Sequence, residues 1–347
     1  MKVFITGASG FLGQYVVAEA LRQGHEVIAL VRPKTNVQRF SWHRHPHLTL
    51  VRIDLRQSEG LSDALAGVDA VIHLAAAKAG DFFTQFAGTV LATENLLSAM
   101  ASAGVSRLVD ISTFSVYDNF NMRHWQTLDE SSPLITEPEN YSEYAQTKLL
   151  QENLVREFEA EHQAQVTIIR PGMVYGRDNI WHALLGAELG ANRWLMVGSK
   201  TIMPMTYVEN CAEAIVQTLS APAAVGKTLN IVDNDLPTQR QYTQAILCYT
   251  DEPPKMTSVS WLAVRTVSNL AQWVNQQILG GKARMPGLLV PTKVQSRFKP
   301  LRYSNAQAKQ CLSWSPRYSL ETALERSCNQ EDLLTVVNDK APVGASS

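Results

Sequence analysis

Short apolar runs alternate with stretches of helical periodicity through the first half of the chain. The runs are nearly continuous in Val, Ile and Leu, which is typical of strands that are buried on both faces. Strands separated by helices indicate an α/β fold, a doubly wound parallel sheet of the Rossmann type. The predicted strands are 2–6, 26–31, 48–53, 70–74, 107–111, 166–169 and 228–232, and the predicted helices are 14–23, 58–66, one ending near 103, and 141–162.

This regular alternation ends near Gly172, where spacing becomes irregular and prolines become frequent. We therefore expect residues 1–172 to form the main domain, joined by a return segment at 206–235. Residues 173–205 and 236–338 are expected to form a smaller, discontinuous lobe. The Ala/Ser-rich end of the chain, 339–347, is expected to be a flexible tail.

One segment of the smaller lobe has a helical apolar stripe. Between 261 and 279, apolar residues recur at Ala263, Val267, Leu270, Val274 and Ile278. Interspersed polar residues exclude an ordinary membrane span. We favour a helix that packs on the lobe through this stripe; interfacial membrane contact or a lid over an apolar pocket is the alternative.

Composition narrows the class of protein. The 347 residues include 31 Lys plus Arg and 32 Asp plus Glu, a net charge of −1, which argues against a protein whose main work is binding nucleic acid or an anionic membrane. The four cysteines are far apart, so neither a disulfide framework nor a metal site is expected. The N-terminus reaches Gly7 before a signal-peptide core could form, which predicts a soluble cytoplasmic protein.

A glycine-rich loop follows the first predicted strand. Gly7 permits a tight turn, Gly10 lets a pyrophosphate approach the backbone, and Gly13 lets the next helix pack close to the strand. The helix N-terminus adds N–H donors and a positive dipole. The main domain is therefore predicted to bind a dinucleotide, through the loop residues Gly7, Ser9, Gly10, Phe11, Leu12 and Gly13.

The ends of the next strands suggest which dinucleotide is bound. Sites that prefer NAD usually place a carboxylate after the second strand, whereas this chain has Arg32, with Arg39 following. Guanidinium groups bind a 2′-phosphate, so NADP(H) is preferred, with NAD(H) possible. Asp54 is expected to accept a bond from the adenine amine. The other residues expected to line the cofactor are Leu55, Leu74, Ala75 and Ala76, whereas His73 is expected to be a packed histidine.

A tyrosine and a lysine lie one helical turn apart on the predicted helix 141–162. Tyr144 and Lys148 share a face, and hydroxyl residues including Thr113 follow the strand 107–111. A neighbouring cation favours the phenolate form of a tyrosine. Thr113 can hold a substrate oxygen while Tyr144 transfers a proton and Lys148 bonds the nicotinamide ribose.

These motifs together resemble the extended short-chain dehydrogenases/reductases, over almost the whole chain. The resemblance assigns catalytic roles to Thr113, Tyr144 and Lys148, adds Pro171 to the cofactor site, and implies a homodimer formed through two helices, one bearing the Tyr–Lys pair. The motifs are Gly7-x-x-Gly10-x-x-Gly13, Asp54, His73-Leu-Ala-Ala, Ser112-Thr113-x-x-Val116-Tyr117, Tyr144-x-x-x-Lys148 and Arg170-Pro171-Gly172-x-Val174-Tyr175-Gly176.

Within that family the nearest resemblance is to 3β-hydroxysteroid dehydrogenases and dihydroflavonol reductases. Phe114 and Ser115 stand where nucleotide-sugar dehydratases have an acidic pair, and the stretch 203–210 has no arginine for a sugar diphosphate. The chain departs from the family at Thr89, which replaces a cofactor-binding asparagine, and in an added loop at 119–126 that either shapes substrate access or is a plain surface insertion.

The leading hypothesis is an NADP(H)-dependent oxidoreductase that interconverts a ketone and a secondary alcohol on a hydrophobic small molecule, steroid-, flavonoid- or β-keto-acid-like. A sugar-nucleotide epimerase with tightly held NAD is the second hypothesis. A non-catalytic dinucleotide sensor is the third, and the intact Tyr144–Lys148 pair argues against it.

Overall fold

A seven-stranded parallel sheet forms the centre of the structure. The structure is a computed structural model, and it describes residues 1–190, 192–250, 252–278, 280, 283 and 285–335. The predicted tail at 339–347 lies outside the described residues. The strands are β1 Lys2–Thr6, β2 Glu26–Val31, β3 Leu48–Arg52, β4 Ala70–His73, β5 Arg107–Ile111, β6 Thr127–Leu128, β7 Gln165–Pro171, β8 Met173–Tyr175, β9 Ala187–Gly190, β10 Arg193–Val197, β11 Met205–Tyr207, β12 Lys227–Ile231, β13 Lys255–Val259 and β14 Arg302–Tyr303.

The order of the strands confirms the predicted Rossmann-type fold. The large sheet runs β12-β7-β5-β4-β1-β2-β3, and all of its strand pairs are parallel. Chain order reverses between β1 and β4, and ligands bind at such a switch point, outside the carboxyl ends of the strands. The fold therefore places the glycine loop after β1 beside the ends of β4 and β5.

Helices cover both faces of this sheet. Alternate residues of β1 enter opposite layers: Val3 and Ile5 pack in one apolar cluster, with the helices at 11–22 and 208–217, and Phe4 packs in the other, with the helices at 92–103 and 143–162. The helices are α1 Phe11–Arg22, α2 Leu61–Ala64, α3 Phe82–Phe86, α4 Ala92–Ala103, α5 Glu143–His162, α6 Val208–Gln217, α7 Gln239–Leu247, α8 Trp261–Gln277, α9 Pro291–Phe298, α10 Ala306–Leu312 and α11 Leu320–Cys328.

Smaller sheets lie outside the central one. Strands β8 and β11 pair in parallel, β13, β10 and β9 form a three-stranded sheet, and β6 pairs with β14. The single long helix predicted to end near 103 is α3 and α4 joined by a π-helical turn at Ala87–Leu91.

The predicted helix at 261–279 forms as α8, but the prediction that its apolar stripe is the packed face is wrong. Trp261 and Val264 pack on α9, whereas Val267, Leu270 and Ile278 are 54–69% exposed. The polar residues on the buried side find partners: the Ser268 hydroxyl donates to a helix carbonyl, and Asn275 exchanges two bonds with the Ala283 backbone. Within the described ranges, no helix has the length and apolar character needed to cross a membrane.

A buried ion pair ties α5 to the central sheet. Arg170, at the end of β7, donates two bonds to Glu152 on α5, at 2.9 and 2.6 Å, and the two side chains are 5 and 6% exposed. The Arg170 guanidinium also lies over the Tyr117 ring, 4.7 Å from its centroid. The pair holds the helix that carries Tyr144 against the edge where β5 and β7 end.

We predict that Arg170→Met lowers the free energy of unfolding by about 3–5 kcal/mol, because it leaves the Glu152 carboxylate buried without a counter-ion. The double variant Arg170→Met/Glu152→Met should recover most of that loss, since it removes both charges. Urea unfolding followed by circular dichroism measures both values. Equal losses in the single and double variants would contradict this account.

Candidate active site

The glycine loop is shaped by close backbone packing. Gly7 has φ +65°, in the left-handed region, and a Cβ at this position would lie 2.7 Å from the Ala75 amide nitrogen. A Cβ on Gly13 would collide with the carbonyl oxygen of Gly7. These two glycines therefore let α1 begin directly against the turn and let the turn approach the end of β4.

The N-terminus of α1 is open to a ligand. Gly10 precedes the helix with no side-chain cap, and Phe11 and Leu12 are only half-buried. The first N–H groups of a helix have no intrahelical partner, so they can bind an anion. A Cβ on Gly10 would lie 3.2 Å from the Gly7 carbonyl oxygen, so glycine keeps this exposed turn uncrowded, and the loop with half-buried Ser9 could hold the pyrophosphate of a dinucleotide.

Arginines gather beyond β2 and β3. Arg32 is exposed, and its charge helps to lower the pKa of the Asp54 carboxyl, although the main cause is hydrogen bonding from Arg56. The Arg56 guanidinium lies 2.5 Å from an Asp54 carboxylate oxygen, so the two side chains form an ion pair. Arg52 donates to the carbonyls of residues 33 and 35 at 2.8 and 3.0 Å, which fixes the loop after β2. Arg32 and Asp54, each predicted to contact the cofactor, thus lie in a surface that also contains Arg52 and Arg56, which were not predicted to belong to it.

The second predicted arginine of this loop is held by aromatic rings. The Arg39 guanidinium lies 4.8 Å from the centroid of the Phe40 ring, and Phe40 stacks on Trp42 at 4.7 Å. The Trp42 indole donates to the Gln14 carbonyl on α1 at 3.2 Å. On the neighbouring side, Asn95 donates to the Leu55 carbonyl at 2.9 Å, which orders the backbone after β3.

The end of β4 is ordered by a buried chain of hydroxyl groups. His73 bonds to Thr6 through Nδ1 at 2.7 Å and to Thr93 through Nε2 at 2.9 Å. Burial lowers the pKa of His73 to about 3, so the ring is neutral and serves packing, as predicted. Thr89, which departs from the family motif, accepts a bond from the Ala77 amide at 3.0 Å. Leu74, Ala75 and Ala76 follow, half-buried, at the mouth of the site.

Thr113 and Tyr144 meet at the end of β5. Thr113 is half-buried and bonds to Ser115, whereas the adjacent Ser112 is buried, so Thr113 is the more accessible of the two hydroxyls. Ser142 caps α5 and presents Tyr144 in its first turn. Burial raises the pKa of Tyr144 to about 12, and the nearby Thr113 hydroxyl opposes that rise. The phenol is therefore protonated at neutral pH.

Lys148 is buried and anchored to the strand end. Its ammonium donates to the Ile111 carbonyl and to the Gln151 amide oxygen, the latter at 2.8 Å, and Gln151 in turn donates to Asp110. Burial lowers the pKa of Lys148 to about 8, and the charge of Asp110 opposes that shift. Burial also raises the pKa of Asp110 to about 6. Lys148 thus lies one helical turn from Tyr144 along α5, but its charge does not lower the pKa of the Tyr144 phenol, so the expected stabilisation of the phenolate is not found in this structure.

The added loop at 119–126 bridges the active-site edge and the elements around α8. Lys299 donates to the Asn119 and Phe120 carbonyls at 2.9 and 2.8 Å, and the Trp125 amide donates to the Pro300 carbonyl at 2.7 Å. The His124 ring packs edge-on against Trp261 at 4.9 Å. Met122 is buried, so the loop is packed rather than loosely attached.

The predicted residues fall into two groups at the same edge of the sheet. The glycine loop with residues 74–76 forms one side, and Thr113, Tyr144 and Lys148 form the other, with Pro171 buried at the end of β7. Sequence reasoning missed Asp110, Gln151, Arg52 and Arg56. The i, i+3 spacing of Lys148 and Gln151 on a predicted helix was a visible signal. Asp54 and Arg56 are two residues apart, but no predicted turn joined them, and the contacts of Asp110 and Arg52 join distant segments. Among the described residues, no cluster of His, Cys, Asp and Glu is arranged to hold a metal ion.

Comparison with known proteins agrees with this architecture. The family model described as "NAD dependent epimerase/dehydratase family" matches residues 3–232. A 3-beta-hydroxysteroid dehydrogenase from Mycolicibacterium neoaurum is 27% identical over 93% of this chain and 89% of its own length.

Two further similarities concern epimerases. An N-acetyl-alpha-D-glucosaminyl-diphospho-ditrans,octacis-undecaprenol 4-epimerase from Escherichia coli O157:H7 is 29% identical over 67% of each chain. Among solved structures, the UDP-glucuronic acid 4-epimerase from Bacillus cereus in complex with NAD superposes with a TM-score of 0.70 over 97% of this chain and all of its own. At 20% identity, that likeness shows the shared fold.

We predict that Asp110→Asn shifts the pH dependence of cofactor affinity. Lys148 is charged below its pKa of about 8, and Asp110 raises that pKa, so removing the carboxylate lowers it. Affinity for NADPH, measured by fluorescence, should decline with rising pH in both proteins, but at lower pH in the variant. Asp63→Asn, at an exposed carboxylate on α2, is the matched control. Superimposable profiles for Asp110→Asn and the wild type would refute the coupling.

Proposed function

The chain belongs to the NAD dependent epimerase/dehydratase family, and from that premise we propose that it is an NADP(H)-preferring oxidoreductase that interconverts a ketone and a secondary alcohol on a largely hydrophobic small molecule. The observation that carries the proposal is the placement of Tyr144 and the anchored Lys148 on α5, which packs on residues 114–116 directly after Thr113 at the end of β5. The relative named as a steroid dehydrogenase supports the same chemistry.

The protein's own groups would handle the proton in this reaction. The bound nicotinamide supplies the hydride acceptor or donor. The Thr113 hydroxyl would hold the substrate oxygen, and the Tyr144 phenol, protonated at neutral pH, would donate to that oxygen during ketone reduction. In the reverse direction the same phenol must first lose its proton, against a pKa that burial raises to about 12. Lys148 would also bond the nicotinamide ribose.

Apolar surroundings support a hydrophobic substrate. Helix α3 carries three phenylalanines, Phe82, Phe83 and Phe86, and packs against α5, the helix that bears Tyr144. Phe83 and Phe86 are 78 and 38% exposed. The stretch 203–210 contains no arginine, and Met203 and Met205 within it are buried. These features suit a ring system or an alkyl chain better than a sugar diphosphate.

The preference for NADP(H) is argued from the basic surface beyond β2. Arg32 and Arg39 follow the strand that faces the adenosine ribose, and Arg52 holds the loop between them in place. The Asp54 carboxylate, which lies near Arg32, is already paired with Arg56. A 2′-phosphate would therefore meet an excess of guanidinium groups.

A sugar-nucleotide epimerase with tightly held NAD is the second candidate, supported by the relative that acts on an undecaprenol-linked sugar. A diphosphate needs a cationic partner, and Arg297 on α9 is available: burial lowers the pKa of its guanidinium, and it pairs with no described carboxylate. In this alternative, Arg297 would bind the diphosphate.

We also propose a homodimer through α4 and α5. Exposed apolar residues on and beside these helices, Leu91 and Leu150, suit a helix-pair interface. Native mass spectrometry of the purified protein reads the number of subunits and any retained cofactor together.

We predict that the protein oxidises NADPH in the presence of a steroid, flavonoid or long-chain β-keto substrate, and that Tyr144→Phe lowers kcat by about 10²–10⁴-fold, because the proton donor is lost. The absorbance of the reduced nicotinamide measures both. Tyr141→Phe is the matched control: its hydroxyl donates to Asp118 at 2.6 Å and has no part in the proposed chemistry. Turnover of a UDP-sugar without net absorbance change, with no apolar ketone reduced, would instead establish the epimerase.

We predict that Arg32→Ala/Arg39→Ala weakens NADPH binding about tenfold and leaves NADH binding unchanged, because only NADPH carries the 2′-phosphate. Fluorescence titration with each cofactor gives the ratio of the two dissociation constants. Arg44→Ala, at an exposed arginine farther along the same connection, is the control. An equal loss for both cofactors would show that these residues do not select the phosphate.

A further inference from the structure

Helix α8 presents an apolar face to solvent. Placed at 100° per residue, Leu262, Ala263, Val267, Leu270, Trp273 and Ile278 fall within one arc of about 160°, which also holds Val274 and the uncharged polar residues Thr266 and Gln277. The five larger ones are 54–69% exposed. The only charged residue of the helix, Arg265, lies outside this arc, with its guanidinium 5.4 Å from the centroid of the Trp261 ring. We call these six residues the apolar α8 face.

The opposite side of the helix is already occupied. Trp261 and Val264 pack with Val197, Val294 and Phe298, and Ser268 and Asn275 are buried. The apolar α8 face is therefore not the side by which the helix packs on its neighbours. A rotation of the helix that buried the apolar α8 face would expose Trp261 and break the two hydrogen bonds between Asn275 and the Ala283 backbone.

The sequence around α8 is strongly basic. Residues 253–320, the basic segment, contain ten Lys or Arg and no Asp or Glu, whereas the rest of the chain carries 21 basic and 32 acidic residues. Eight of the ten bases are among the described residues, and none of these eight forms an ion pair with a described carboxylate. The apolar α8 face is thus surrounded in sequence by uncompensated positive charge.

Exposed aromatic side chains continue toward the start of α8. In the loop at 119–126, Phe120 and Trp125 are 45 and 46% exposed, and the loop is joined to the helix by the contact of His124 with Trp261. Lys299 of the basic segment is buried and ties this loop to the segment through the Phe120 carbonyl, so the exposed bases of the segment are the ones that can meet headgroups. Tryptophan and phenylalanine beside cationic groups are typical of segments that lie in a membrane interface.

We propose that the apolar α8 face and the basic segment form a peripheral docking surface for an anionic lipid bilayer. Acyl chains would receive the leucine, valine and tryptophan side chains, and negative headgroups would compensate the lysines and arginines. A twofold dimer through this face would set the same positive surface against itself, which costs electrostatic free energy. A nucleic acid would supply phosphates but no apolar surface for the helix.

The docking surface is independent of the proposed reaction, because binding to vesicles needs neither cofactor nor substrate. If both proposals hold, the hydrophobic substrate is dissolved in the bilayer, and the protein binds this substrate while it is docked on the membrane surface.

Vesicle flotation tests the proposal with the full chain. We expect the protein to float with vesicles of phosphatidylcholine and phosphatidylserine in equal parts, and much less with phosphatidylcholine alone. Leu270→Glu/Trp273→Glu should weaken partitioning by at least about tenfold, since two large apolar contacts are lost. Leu189→Glu is the matched control and should bind normally: Leu189 is 57% exposed, on β9 at the far edge of the sheet from β13.

Thermal melting and NADPH binding establish that each variant remains folded. Because the substituted residues are exposed, both properties should stay unchanged. The proposal is overturned if the wild type fails to float with the anionic vesicles, or if the double variant floats equally well. Loss of a dimer in ultracentrifugation with unchanged flotation would assign the face to a second copy. Binding to duplex DNA with no flotation would assign the basic segment to nucleic acid.

Discussion

The candidate active site depends on burying one ammonium group. Lys148 can be held out of water only because Ile111, the last residue of β5, offers its carbonyl, and because Gln151 links the lysine to the Asp110 carboxylate. An unpaired cation in this position would be expelled or neutralised. The end of a parallel strand supplies such a free carbonyl, so the architecture of the sheet explains how α5, the helix that bears Tyr144, can also carry a buried ammonium.

The charge of the molecule is unevenly distributed, and this changes what the net value means. A net charge of −1 argues against a surface that binds anions, yet the ten bases and absent acids of residues 253–320 create one locally. The same segment holds the exposed apolar face of α8. Basic residues also collect beyond β2 and β3, where Arg52 and Arg56 are committed to the loop and to Asp54. The net charge of the whole chain is a sum over all regions, so it does not reveal these two basic regions.

Much of the site could be predicted because its motifs are local. Gly7, Gly10 and Gly13 are needed by a single turn, and Tyr144 and Lys148 are one helical turn apart, so spacing alone brings them together. Asp110 and Gln151 escaped prediction because 41 residues separate them and each is unremarkable in its own element. The pairing of Asp54 with Arg56 was visible only once the chain after β3 had a defined turn.

In the first half of the chain, periodicity by itself determined which segments are strands and which are helices, and their alternation determined the parallel sheet, because both follow from contacts within a few residues. Most elements after Gly172 lack such a pattern and were not predicted. The tertiary structure alone decided which side of α8 is buried. Both sides of that helix offer apolar residues, and Trp261 and Val264 were selected because Val294 and Phe298 on α9 complement them. Burial of a helix face is a property of the partner surface, and no local pattern contains it.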